Sequence, residues 1–191
     1  LYLFITRYAK SKNARRQRAW IVFEDESGVS QQPVVRRTWA PRGETPILSH
    51  TGGNWKRLSI AGALAFRWDG RRTRFFFQTR AGSYTDAALI PFLGDLKRHF
   101  PHRRVLLIWD GLRGHTSRVM AAYVARQRAW LTVERLPSYA PDLNPIEQVW
   151  GNVKTREMAN VCAPTLAALR PPLRAGFARV RRQPQLAFAF L

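Results

Sequence analysis

The sequence predicts an α/β fold in which a mixed central sheet is flanked by helices. Two fully apolar runs, Trp20-Ile21-Val22-Phe23 and Val105-Leu106-Leu107-Ile108-Trp109, are each bounded by acidic residues. Strand candidates crowd the first part of the chain, and helical and extended patterns alternate after it. At the ends of strands in such sheets, loops collect and chemistry follows.

Residues 6–18 are basic, carry no apolar face and read as a linker or solvated helix. Ala19 to Glu24 predicts a buried strand that stops at the acidic residues. Arg57 to Phe66 and Thr73 to Gln78 predict two more strands, with Trp68-Asp69-Gly70 as the turn between them. Thr85 to Phe100 places Ala88, Leu89, Phe92, Leu93, Leu96 and Phe100 at helical spacing, with Asp86 near its start. Ser117 to Arg128 reads as a helix and Leu131 to Leu136 as a strand. Pro145 opens a helix with Ile146, Val149, Trp150 and Val153 on one face, and Asn144 is placed to cap it. The tail from Leu166 to Leu191 is helical in pattern, with Pro171-Pro172 as an interruption.

The 191 residues include 32 Lys and Arg against 12 Asp and Glu, a formal charge of +20. A field of that sign attracts polyanions, nucleic acid above all. Hydrophobic residues make up 46%, with seven Trp and eleven Phe, so the chain has the means to bury a core and is not a disordered basic tail. Cys162 is the single cysteine, which excludes an internal disulfide framework and a thiolate zinc site and suits a reducing compartment. No apolar run approaches the roughly 18 residues that span a bilayer.

In so basic a chain the placement of the few acids is informative. Asp25 and Asp110 each follow an apolar strand, and Glu147 lies in the first turn of the helix that Pro145 opens. Aspartates at the ends of neighbouring strands can approach closely, and a first-turn glutamate can close the set. Grouped carboxylates repel one another unless cations are present. Mg²⁺ suits an oxygen-only site that also binds phosphate, and two ions about 3.5–4 Å apart stabilise the attacking and leaving oxygens of an in-line phosphoryl displacement. Taken singly, each acid also has a structural reading. An Asp after a strand can be a turn or cap residue, and a first-turn Glu complements the helix dipole. Glu24 and Glu26 flank Asp25, but strand alternation turns both to the other face.

The surrounding residues carry a resemblance. Phe23-Glu24-Asp25-Glu26-Ser27-Gly28 resembles the first-aspartate motif of mariner-like transposases of the bacterial insertion-sequence branch. Thr38-Trp39-Ala40-Pro41-Arg42-Gly43-Glu44-Thr45-Pro46 resembles the element that follows it there, and Leu107-Ile108-Trp109-Asp110 through His115 resembles the second-aspartate strand. The block Leu136-Pro137-Ser138-Tyr139-Ala140-Pro141-Asp142-Leu143-Asn144-Pro145-Ile146-Glu147, with Trp150 and Lys154, is very close to the third and is the most specific. The resemblance spans about residues 19–160 and implies a ribonuclease-H-like DDE endonuclease domain. It assigns the catalytic and metal-binding carboxylates to Asp25, Asp110 and Glu147, with Mg²⁺ or Mn²⁺, as two ions, for cofactor. It further implies cleavage at transposon ends, transfer of 3′-hydroxyls into target DNA, a homodimer that pairs two ends, and a cytoplasmic, nucleoid-associated location. The chain departs from the pattern at Gly111, where the family carries Asn, and it lacks the upstream helix-turn-helix region.

The expected division is therefore a basic lead-in over residues 1–18, from a DNA-binding region upstream, and a catalytic domain with a helical tail over residues 19–191. Opening on Leu1 rather than Met, the sequence reads as a fragment or a truncated frame. His115, Lys154, Arg42, Lys56 and Arg57 are candidate DNA contacts; a loop or capping role for His115 and a solvated Lys154 stand beside that reading. Trp39 and Trp150 are expected in the core or packed against loops. An inert DNA-binding remnant is the alternative function, followed by a general nuclease of the same fold and a basic structural protein.

Overall fold

The structure is a computed structural model and describes residues 16–50, 55–137 and 140–191. Most of the basic lead-in thus lies outside the described residues, as do Ser138 and Tyr139 of the proline-rich block. Five strands form one sheet: β1 (Trp20–Ser30), β2 (Arg57–Arg67), β3 (Thr73–Ala81), β4 (Val105–Trp109) and β5 (Leu131–Arg135), in the order β3-β2-β1-β4-β5. The first three strands form an antiparallel meander, and β4 and β5 add in parallel to β1. Parallel strands need a crossover. Helix α1 (Asp86–His99) supplies it before β4, and α2 (Arg113–Thr116) and α3 (Arg118–Arg126) supply it before β5. Helices α4 (Pro145–Arg156), α5 (Arg170–Arg182) and α6 (Pro184–Ala189) follow.

Strand alternation divides the core in two. Ile21 and Phe23 of β1, Leu64 and Phe66 of β2, and Leu106 and Ile108 of β4 pack under α4, α5 and α6. Trp20, Val22, Ala61, Ala63, Leu107 and Trp109 pack on the opposite face with Leu89, Phe92, Leu93 and Leu96 of α1 and Met120 of α3. Both faces are buried, which is why β1 and β4 read as continuous apolar runs rather than as alternating ones.

Strand β1 does not stop at its acids. It continues to Ser30 because β2 pairs with it over its whole length, from Trp20↔Arg67 to Ser30↔Arg57. Pairing with β4 ends sooner, at Phe23↔Ile108. Asp25 therefore sits inside a strand, just past the point where its parallel neighbour leaves the sheet. Pro171 and Pro172 do not interrupt a helix; they occupy the first turn of α5, where a missing N–H costs nothing. Trp39 is 99% exposed, which corrects its expected place in the core or against a loop. Its segment is tied at its start, where Val34 bridges to Ala159 and the Arg36 N–H donates to Asn160 Oδ1. Among the described residues no helix is long and apolar enough to cross a membrane.

Candidate active site

Each acidic side chain is placed by its element. Asp25 has the parity of Ile21 and Phe23, so it points to the face covered by α4. Asp110 follows the last residue of β4, the strand hydrogen-bonded to β1, and its Oδ1 accepts the Leu112 N–H at 3.0 Å in a tight local turn. Glu147 is the third residue of α4; Asn144 caps that helix by accepting the Ile146 N–H, and Pro145 opens it. The two aspartates thus lie at the same end of adjacent parallel strands, and the start of α4 comes to that end.

Asp25 is only 7% exposed. Its Oδ2 accepts a 2.8 Å hydrogen bond from the Trp150 indole Nε1, three positions beyond Glu147 on α4. That ring can reach Asp25 because the residue opposite Asp25 on β2 is Gly62. A Cβ there would stand 2.4 Å from the Trp150 ring. Burial pushes the Asp25 carboxyl up to about 7; the Trp150 bond pulls the other way, and the charges of Glu147, Glu26 and Asp110 add to the rise.

Asp110 behaves oppositely. Burial raises its pKa, but the hydrogen bonds from His115 and the Leu112 N–H outweigh it and hold the carboxyl below its usual value. The His115 Nδ1 lies 2.8 Å from Asp110 Oδ1. Its Nε2 faces Glu26 Oε1 at 3.3 Å and Glu24 Oε2 at 3.4 Å, and its ring stacks on Trp109 with centroids 4.2 Å apart. Burial opposes the imidazolium, yet Asp110, Glu24 and Glu26 push its pKa up to about 12. Glu24 has no exposed surface; burial first and Glu26 second raise it to about 8.

His115 was a candidate DNA contact, but it is 3% exposed with both ring nitrogens turned to carboxylates, so no surface ligand reaches it. Arg42, Lys56 and Arg57 are exposed. Lys154 is half-buried on α4 and donates to Ser27 Oγ at 2.8 Å; burial lowers its pKa against the pull of Glu147 and Asp25. The sequence reading missed the cluster of Glu24, Glu26 and His115, whose ligand-type atoms lie within 4.8 Å of one another. Alternation had put both glutamates on one face of β1, but nothing local showed that a loop histidine would fold beneath them.

A mixed sheet with aspartates just past the paired stretch of two parallel strands, and a helix delivering further acidic and basic groups beside them, defines a ribonuclease-H-like domain. The chain belongs to the DDE superfamily endonucleases, whose family model matches residues 20–170. Among solved structures it is similar to the mariner Mos1 paired end complex with Mg, at 16% identity and a TM-score of 0.66, over 99% of this chain and 56% of that one. The catalytic domain of Mos1 mariner transposase matches at 14% identity and a TM-score of 0.57, over 99% of this chain and 87% of that one. The Mos1 strand transfer complex matches at 18% identity and a TM-score of 0.62, and the chain spans 56% of that protein's length. At such identities the likeness is one of fold. No curated protein matches the chain.

The acidic end of the sheet fits divalent cations. Its donors are carboxylate oxygens; burial first, and the neighbouring carboxylate charges after it, make an ionised Asp25 costly without a counter-ion.

Proposed function

We propose that this chain is the catalytic domain of a transposase that cleaves phosphodiester bonds at transposon ends and transfers the 3′-hydroxyls into target DNA. The observation that carries this reading is that the hydrogen-bonded parallel strands β1 and β4 lead into Asp25 and Asp110 at the same end, with Glu147 in the first turn of α4, the helix that packs on β1. Membership of the DDE endonuclease family and the likeness of fold to Mos1 complexes described as paired end and strand transfer complexes support it.

Asp25, Asp110 and Glu147 would hold two Mg²⁺ or Mn²⁺ ions. Such ions supply charge to the attacking and departing oxygens of an in-line displacement. The chain's own groups do the rest. Trp150 fixes one oxygen of Asp25, and His115 and the Leu112 N–H fix one oxygen of Asp110. Exposed Arg42, Lys56 and Arg57, with the half-buried Lys154, would grip the phosphate backbone. In the first step a water oxygen bonds to phosphorus and the P–O3′ bond breaks, leaving a 3′-hydroxyl and a 5′-phosphate. In the second, that 3′-oxygen attacks a target phosphate and displaces the target's own 3′-oxygen. Residues 1–18 would connect to a DNA-binding region, two copies would pair two transposon ends, and the protein would work beside the bacterial nucleoid.

Nicking of supercoiled plasmid tests the reading. The parent chain should nick in Mg²⁺ and in Mn²⁺, while Asp25→Asn, Asp110→Asn and Glu147→Gln each abolish nicking and keep DNA binding. An Asp110→Asn protein as fast as its parent would overturn the mechanism. A parent that binds DNA and never nicks would leave the inert remnant.

A further inference from the structure

Beyond its bond to Asp110, His115 meets Glu26 and Glu24 on the far face of β1, and these two glutamates have no part in the proposed chemistry. His115 occupies a sealed position between that face and the end of β4, with its ring flat on Trp109 at an interplanar angle of 10°. One nitrogen meets Asp110 Oδ1 at 2.8 Å, and the other faces Glu26 and Glu24 at 3.3 and 3.4 Å. Both oxygens of Glu24 and Oε2 of Glu26 are buried without a hydrogen-bond partner. Two carboxylates and an imidazole lone pair cannot face one another in a sealed space unless a proton or cation lies between them. The imidazole is therefore a bridge. It ties the carboxyl that follows β4 to the two glutamates on either side of Asp25.

We propose that His115 is a positioning residue for metal binding: through Nδ1–H it aims one oxygen of Asp110, and through Nε2 it fixes that aim to β1, the strand that carries Asp25. The proposal rests on the assignment of Asp110 as a metal ligand. It follows from what Asp110 otherwise lacks. At 39% exposure its side chain is much the more open of the two aspartates, and β4 has already left its pairing with β1 when Asp110 is reached. Asp25 is held by strand, helix and Trp150; Asp110 has only a local N–H and the imidazole. A carboxylate steered from its outer side by a hydrogen-bonded partner is a common means of ordering a metal ligand, and loss of such a partner weakens binding about 10–100-fold.

The test is Mn²⁺ binding to the full chain by calorimetry, with DNA affinity and melting temperature measured alongside. His115→Ala should weaken Mn²⁺ binding about 10-fold or more and leave DNA affinity unchanged. Two amides then separate the halves of the bridge. In His115→Asn the amide nitrogen takes the place of Nδ1 and keeps the bond to Asp110, so binding should return to within a few-fold of the parent. In His115→Gln it takes the place of Nε2, and binding should stay as weak as in the alanine protein. These two decide the matter even if His115→Ala fails to fold. The reverse order, or equal affinities for all three, would overturn the proposal. Asp110→Asn distinguishes the two readings. If it binds Mn²⁺ like the parent, the assignment of Asp110 falls and this proposal with it; if only the His115 variants bind normally, this proposal alone falls. A protein with Asp25→Asn, Asp110→Asn and Glu147→Gln together should bind no Mn²⁺. Binding that survives there and is lost on adding His115→Ala would make the imidazole a ligand and overturn the positioning role.

Discussion

The indole N–H of Trp150 donates to Asp25 Oδ2 at 2.8 Å, across the bare backbone of Gly62. A core tryptophan thereby holds a carboxylate that lies almost entirely out of water. The bond favours the ionised form of Asp25 against the burial that opposes it. Trp150→Phe keeps most of the buried area and removes only the donor. Asp25 should then ionise at higher pH, and the acid limb of the nicking profile in Mg²⁺ should move to higher pH. The loss should be largest below pH about 7 and smallest on the alkaline side. Stability should fall by about 1–3 kcal/mol, the cost of a buried acceptor left without its partner. A pH profile unchanged from the parent would contradict the role given to the indole.

Gly62→Ala attacks the same contact from β2. The new methyl would meet the Trp150 ring at 2.4 and 2.9 Å and Ile146 at 3.1 Å, so the ring must move. A cost of about 1–3 kcal/mol is expected, as for other overpacked cores, with nicking reduced at temperatures where the protein remains folded. Gly94→Ala is the control. Gly94 lies within α1 with nothing near its Cβ position, and alanine there should raise stability by about 0.5–1 kcal/mol without touching activity. Melting curves and nicking rates of the two proteins separate local packing from a general glycine effect.

Stability should fall as pH rises, the direction that burial of carboxyl groups dictates. Asp25 is raised from 3.8 to about 7 and Glu24 from 4.5 to about 8, so between those limits the folded chain holds protons that the unfolded chain has lost. Stability is full below pH about 4 on this account and declines as pH rises to about 8. His115, raised from 6.5 to about 12, adds to the decline above pH 6.5 for the same reason. In a chelator the melting temperature should fall from pH 5.5 to pH 8, and Asp25→Asn should flatten the fall. Mg²⁺ should raise the melting temperature more at pH 8 than at pH 5.5, since it binds the ionised carboxylates. A chelated protein most stable at pH 8 would refute the burial argument.

The +20 charge predicts DNA affinity that falls steeply with salt. Arg57→Gln removes one exposed cation beside Lys154 and should lower the slope of log affinity against log salt by about one, equally for unrelated sequences. Filter binding over a salt series measures it. An unchanged slope would take Arg57 out of the DNA surface.

The sequence by itself determined the cores of the five strands, the longer helices and the faces of β1. Apolar runs buried on both sides fixed β1 and β4, and Asn144-Pro145 fixed the start of α4, because these signals are local and need no partner. Parity alone turned Asp25 to one face and Glu24 with Glu26 to the other. Three matters were decided only by tertiary structure. β1 runs on past its acids because β2, some thirty residues later in the chain, supplies a full ladder. Trp39 and Trp150 are both expected in the core or against loops, yet the fold buries Trp150 on Asp25 and leaves Trp39 in water, since of the two only Trp150 sits on a helix laid against the sheet. His115, five residues after Asp110, reads as a DNA contact or as a loop or capping residue; packing of the turn after β4 beneath β1 encloses it among three carboxylates. Burial of a charged group depends on what distant segments bring to it, and no local pattern encodes that.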